Sequence, residues 1–82
     1  MPKIPRDISG RELIKLLNKK YGYQAERETG SHIRLKSLYK GIEHKITIPD
    51  HDEIKIGTLN NILKDISAYL EISKEALVLE LF

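Results

Sequence analysis

Gly30-Ser31-His32-Ile33-Arg34-Leu35-Lys36 is the stretch on which the reading of the fold turns. From His32 onward it alternates strictly between polar and apolar, the mark of a half-buried strand. Ile33 and Leu35 then face a core, while His32, Arg34 and Lys36 share the opposite face. Gly30 supplies the turn just before the strand and lets another backbone or a phosphate come close. A histidine beside fixed positive charge can hold a polyanion, and imidazole exchanges protons near neutral pH without assistance. The first expectation from these residues is RNA, bound and cut.

Working outward, Tyr23 to Glu28 alternates Tyr23, Ala25 and Arg27 against Gln24, Glu26 and Glu28. That pattern predicts a weakly hydrophobic edge strand, joined to the first by Thr29-Gly30-Ser31. A second turn falls at Tyr39-Lys40-Gly41. His44 to Ile48 then reads as a third strand, with Ile46 and Ile48 inward, Lys45 and Thr47 outward, and Pro49 closing it. His44, in phase with the two isoleucines, belongs at the core edge. Tight turns between short strands predict an antiparallel meander.

Helices flank the strands. Ile8-Ser9-Gly10-Arg11-Glu12-Leu13 carries a capping box (Ser9 with Glu12) and a hydrophobic staple (Ile8 with Leu13). Leu13, Ile14, Leu16, Leu17 and Tyr21 fall on one arc, Arg11, Lys15 and Lys19 line the other side, and Gly22 ends the helix. After the polar loop Asp50-His51-Asp52-Glu53, a second helix is expected with Thr58 as its N-cap and an apolar arc from Leu59 to Leu70. Ser73 caps a short last helix, with Ile72 stapled to Leu77. The predicted fold class is α+β, a two-layer sandwich of order α-β-β-β-α plus a short C-terminal helix. Its three-stranded antiparallel sheet carries helices on one face only, so His32, Arg34, Lys45 and Thr47 lie on a wet face.

The chain has 82 residues and no cysteine. One domain over residues 1–82 is expected, with residues 1–7 as a flexible lead, stabilised by packing alone. The absence of cysteine, of a signal peptide and of any long apolar stretch suits the cytoplasm and no membrane association. The net charge is +2, but residues 1–45 hold eleven Lys/Arg against five Asp/Glu, and residues 46–82 three against seven. A basic half beside an acidic half predicts one surface for an anionic partner, unless the halves interleave in space.

Several short motifs occur in order: the N-terminal helix, Gly30-Ser31-His32, a strand ending in Pro49, His51, and Gly57-Thr58-Leu59 opening a helix with Ile62-Leu63. In these the chain resembles the HicA (YcfA-like) toxins over roughly residues 8–82. The resemblance implies a double-stranded-RNA-binding-domain-like fold, mRNA interferase activity, and a HicB-like antitoxin that covers the site. It implies that His32 is catalytic, with Gly30 and Ser31 forming its turn and with His51 and Gly57-Thr58-Leu59 contacting RNA or supporting the fold.

RNA cleavage without a metal needs a base for the 2′-hydroxyl, charge to stabilise the phosphorane and an acid for the leaving oxygen. His32 can act as base or acid, Arg34 and Lys36 can supply charge, and His51, Lys45 or water are the candidates for the second proton transfer. In a double-stranded-RNA-binding fold the first helix meets RNA, which brings in Arg11, Lys15 and Lys19, and the start of the second helix adds Thr58 and Lys64. Ser31, Arg34, Lys36, Lys45 and His51 complete the RNA-binding candidates. Solvated helix faces are also polar, so the helical stripes fit an ordinary surface too. No cofactor is expected. The histidines with Asp50, Asp52 and Glu53 match no common metal-ligand spacing. Two other readings share this pattern: a module that binds RNA without cutting it, and a protein whose wet sheet face docks only another protein.

Overall fold

The computed structural model describes Ile4 and residues 7–82. The expected flexible lead over residues 1–7 thus falls mostly outside the described residues, although Ile4 packs against the core. The order is α1 (Gly10–Tyr21), β1 (Gln24–Thr29), β2 (His32–Ser37), β3 (His44–Pro49), α2 (Ile56–Leu70) and α3 (Lys74–Leu81). The strands form an antiparallel sheet of order β1-β2-β3. The α+β architecture is the one its sequence predicts.

Helix α1 begins where its cap residues demand. The Glu12 N–H donates to Ser9 Oγ at 3.1 Å and the Ser9 N–H to Glu12 Oε1 at 3.4 Å, a complete capping box. Ile8 and Leu13 are both buried beside it, and Gly22 closes the helix at φ 69°. Leu13, Leu17 and Tyr21 form its buried stripe against Leu35, Ile46 and Ile48 of the sheet and Leu77 and Leu81 of α3 in one core. Gly10 meets a special need: a Cβ there would overlap the Pro49 carbonyl oxygen, so only glycine lets α1 sit this close to the end of β3.

Two details depart from the sequence reading. Helix α2 starts at Ile56 with Lys55 as its N-cap and no side-chain cap, so Thr58 is the third helical residue rather than the cap. The cause lies in the loop: Ile54 is buried and its N–H donates to the Ile8 carbonyl at 2.9 Å, which sets the chain's direction early. The Leu59 N–H to Lys55 carbonyl bond, 2.9 Å, then completes the first turn. Strand β1 is the second departure. Ala25 pairs with Leu35 but Arg27 pairs with Arg34, leaving Glu26 as an extra residue in a β-bulge. The bulge reverses the strand's phase, so Arg27 leaves the Tyr23–Ala25 face and Glu28 comes opposite Ile33.

At its C-terminal end α2 closes on Glu71 at φ 61°, with Glu71 and Ile72 N–H groups donating to the Ala68 and Ser67 carbonyls. Ser73 caps α3 as expected, its Oγ accepting from the Ala76 N–H at 3.1 Å. Ile72 is 37 % exposed, so the staple to Leu77 is only partly closed. No helix among the described residues is long and apolar enough to cross a membrane.

Candidate active site on the open sheet face

The strand register arranges the open face in rows. The first is Thr29–His32–Pro49, the second Arg27–Arg34–Thr47, and the third Gln24–Lys36–Lys45 with Glu26 reaching in from the bulge. His32 therefore opens β2, directly after a two-residue turn in which Gly30 has φ 58°. A positive φ at the first turn position alone is the pattern of a tight hairpin turn that suits glycine there. The Ser31 carbonyl accepts from the Asp50 N–H at 2.7 Å, which ties the turn to the chain leaving β3.

Around His32 the surface forms a shallow depression of about 160 Å³, lined by Arg27, Thr29, His32, Arg34 and Thr47. All five side chains are exposed. Arg27 and Arg34 face each other across the β1–β2 ladder, and neither makes an ion pair among the described residues. The sequence reading named Arg34 but missed Arg27, because plain alternation put Arg27 in phase with the buried Tyr23. The signal was nonetheless present. A two-residue turn at Gly30-Ser31 sets Thr29 opposite His32, and counting back from that pair sets Arg27 opposite Arg34.

Lys36 and Lys45 stand elsewhere. Lys36 lies four steps along the strand from His32, about 14 Å. Glu26 sits between the two lysines, with Oε1 3.9 Å from Lys36 Nζ and Oε2 3.6 Å from Lys45 Nζ, and Glu43 approaches Lys45 at 3.3 Å. Lys36 and Lys45, expected to supply charge and a second proton-transfer group at His32, are thus placed two rows from it and beside carboxylates. The charge beside His32 comes from the arginines.

Some of the remaining candidates gather at the same end of the molecule. The Gly10 N–H donates to the His51 carbonyl at 2.9 Å, and Arg11 Nη2 lies 3.0 Å from Asp50 Oδ2 and 3.5 Å from Glu28 Oε1. Ser31, His32, His51 and Arg11 thus share one end, but Arg11 is held by two carboxylates. With the Ile54–Ile8 bond, both α1 and α2 begin at this end, and a helix N-terminus carries partial positive charge. Lys15 and Lys19 run along the exposed side of α1, and Thr58 and Lys64 lie on α2, in the helical layer rather than on the open sheet face. Lys15, with Arg11, also borders a larger groove of about 580 Å³ between α1 and β1, floored by Ile14, Ala25 and Ile33.

His44 lies away from this cluster and is built into the core edge. The Tyr23 hydroxyl donates to His44 Nδ1 at 2.6 Å, His44 Nε2–H faces Asp65 Oδ1 at 3.3 Å, and the ring stacks on Tyr69 at 4.5 Å. Burial pushes the Tyr23 hydroxyl well above its ordinary range, with Tyr69 and Asp65 adding to the shift. No group of three or more His, Asp or Glu side chains able to hold a metal ion occurs among the described residues.

A family model described as the HicA toxin of bacterial toxin-antitoxin matches residues 10–67, from the first residue of α1 to the last turn of α2. No curated protein and no solved structure matches.

Proposed function

The chain belongs to the HicA toxin family, and from that premise we propose that it is an mRNA interferase that cuts RNA without a metal ion, with His32 as the proton-transfer group. The observation that carries the reading is the placement of His32: exposed, first in β2, and in a depression with two arginines that have no carboxylate partner among the described residues.

In this mechanism the His32 imidazole removes the proton of a ribose 2′-hydroxyl. The 2′-oxygen attacks the adjacent phosphorus, the bond from phosphorus to the 5′-oxygen breaks, and that oxygen takes a proton from water, which the imidazolium restores. The products are a 2′,3′-cyclic phosphate and a 5′-hydroxyl, and no water is consumed. Positive charge at the depression offsets the charge that develops on the phosphoryl oxygens. RNA is the substrate, the cytoplasm is where the chain meets it, and a HicB-like antitoxin is the partner that silences it.

A second reading, a module of the same fold that holds RNA without cutting it, is favoured by one observation. The depression contains one imidazole and no carboxylate or amine to act as the second proton carrier. One experiment separates the two. Single-stranded RNA is incubated with wild type and His32→Ala, each with and without EDTA. The interferase reading expects cleavage by wild type in EDTA, cyclic-phosphate ends, and none by a folded His32→Ala. Cleavage by that variant at the wild-type rate, or 3′-hydroxyl ends with a strict divalent-metal requirement, rejects the role of His32. Binding with no cleavage by either protein establishes the second reading.

A further inference from the structure

Arg27 and Arg34 present an energetic oddity. Like charges directly opposite on neighbouring strands destabilise a sheet. Here two guanidinium groups are set opposite each other on an open face, and neither has a carboxylate partner among the described residues. Carboxylates are close in sequence on both sides of Arg27, but both are directed elsewhere, Glu26 by the bulge and Glu28 by the turn register. Glu26 goes to Lys36 and Lys45, and Glu28 goes to Arg11 on the helical side. A bulge costs ladder hydrogen bonds and is found where a side chain must be re-aimed. In β1 it brings Arg27 onto the face of His32, which unbroken alternation from the buried Tyr23 would not do.

From this we propose that Arg27 and Arg34 form a two-arginine clamp for a single RNA phosphate beside His32, and that Glu26 confines phosphate contact to that end of the sheet by occupying Lys36 and Lys45. The inference rests on the reading of the open face as an RNA site and adds to it a residue, Arg27, and a boundary, Glu26. Guanidinium forks match phosphate oxygens in pairs, whereas an ammonium acts as a point charge. Thr29 and Thr47 line the same depression, and a threonine hydroxyl can donate to an anion.

The test measures binding in a His32→Ala background, where the RNA survives, and cleavage in the background with His32 intact. A mixed-sequence single-stranded RNA is titrated over a range of salt concentrations. Arg27→Gln is expected to weaken binding roughly tenfold or more and to lower the salt slope by about one. Lys20→Gln, the same charge change on α1, is expected to leave both unchanged. Arg27→Lys is expected to recover the slope, yet to cleave slowly, with kcat about 10²-fold down, since it keeps the charge and loses the fork. Glu26→Gln is expected to tighten binding and steepen the slope by releasing two lysines.

Stability distinguishes the clamp from a structural role: Arg27→Gln should melt at or above the wild-type temperature, because it relieves a like-charge pair. A lower melting temperature, or unchanged affinity and slope in Arg27→Gln, overturns the clamp even if His32→Ala proves inactive. Unchanged binding in Glu26→Gln overturns the boundary. Continued cleavage by His32→Ala removes the catalytic reading and leaves the clamp to be judged on binding of a 2′-O-methyl RNA, which has no 2′-hydroxyl to attack. Failure of wild type to bind RNA, with an acidic protein held instead in an Arg27-dependent way, overturns both.

Discussion

Gly10 and Tyr23 show how single residues hold this fold together. Gly10 is the first residue of α1, and its missing side chain leaves room for the Pro49 carbonyl at the end of β3, in the same row as His32. Gly10→Ala gains helix propensity but forces α1 away from β3, and overpacking of this kind costs about 1–3 kcal/mol. The expected outcome is a lower urea midpoint with unchanged slope, measured by circular dichroism. Tyr23 is fully buried and its hydroxyl is kept protonated by burial. The sign follows: an acid whose pKa is raised in the fold contributes stability that is present below the unfolded tyrosine value, about 10, and is lost as pH rises above it. Urea midpoints should therefore hold from neutral pH to about pH 9 and fall beyond pH 10, and Tyr23→Phe should flatten that fall. Removal of the bond to His44 should cost the variant about 1 kcal/mol at neutral pH. A midpoint in wild type that stays level through pH 11 would contradict the burial argument.

At the scale of elements, what could be read in advance was what local chemistry announces. Ser9 and Ser73 cap their helices through their own side chains, so α1 and α3 begin where the sequence says. Helix α2 has no such signal at its start. Lys55 stands at the N-cap, where its charge also opposes the helix dipole, and Thr58 two residues inside the helix was the more attractive candidate. Lys55→Asp supplies a capping carboxylate and should raise stability by about 1 kcal/mol, seen as a higher melting temperature. Its far end offers a second gain. Glu71 holds the left-handed conformation that costs a non-glycine residue about 1–2 kcal/mol. Glu71→Gly should recover part of that, net about 0.5–1 kcal/mol after the added freedom of the unfolded chain, and a lower melting temperature would show that the Glu71 side chain stabilises the turn in some other way. The bulge in β1 belongs to this scale too. Two local demands conflict there, Tyr23 and Ala25 facing in and a two-residue turn placing Arg27 opposite Arg34, and one extra residue reconciles them.

At the scale of the whole molecule, the basic half of the sequence is not one basic face. Arg27, Arg34, Lys36 and Lys45 lie on the open sheet, Arg11, Lys15 and Lys19 on α1, and Glu26, Glu28, Glu43 and Asp50 pair with several of them. RNA affinity should therefore depend more on the sheet arginines than on the helix lysines. The pair Lys15→Gln and Lys19→Gln together should lower the salt slope by less than the pair Arg27→Gln and Arg34→Gln, as read from binding isotherms at several ionic strengths. An equal or larger loss from the α1 pair would move the RNA surface to the helical layer. A partner that silences the toxin by covering His32 should present acidic groups to the arginines and associate faster at low ionic strength. Partner and RNA should then exclude each other in competition, and the His32 ring signals should lose solvent exposure in the complex. A ternary complex with RNA would reject direct masking.

The amino-acid sequence by itself determined the element order, the inward set Ile33, Leu35, Ile46 and Ile48, two of the three helix starts, and the place of His32 at the head of an exposed face. Each of these follows from periodicity or a cap within a few residues, where local physics dominates. Turn length offers Arg27 as a neighbour of Arg34, but only the tertiary structure decided which cations stay unpaired beside His32. That choice depends on register between strands, on a bulge created by competing demands at its two ends, and on carboxylates that approach from other elements. Lys36 shares His32's strand and face yet is held by Glu26, whereas Arg27, out of phase in the sequence, arrives beside it. Proximity across a sheet is set by pairing and packing, which no run of neighbouring residues encodes alone.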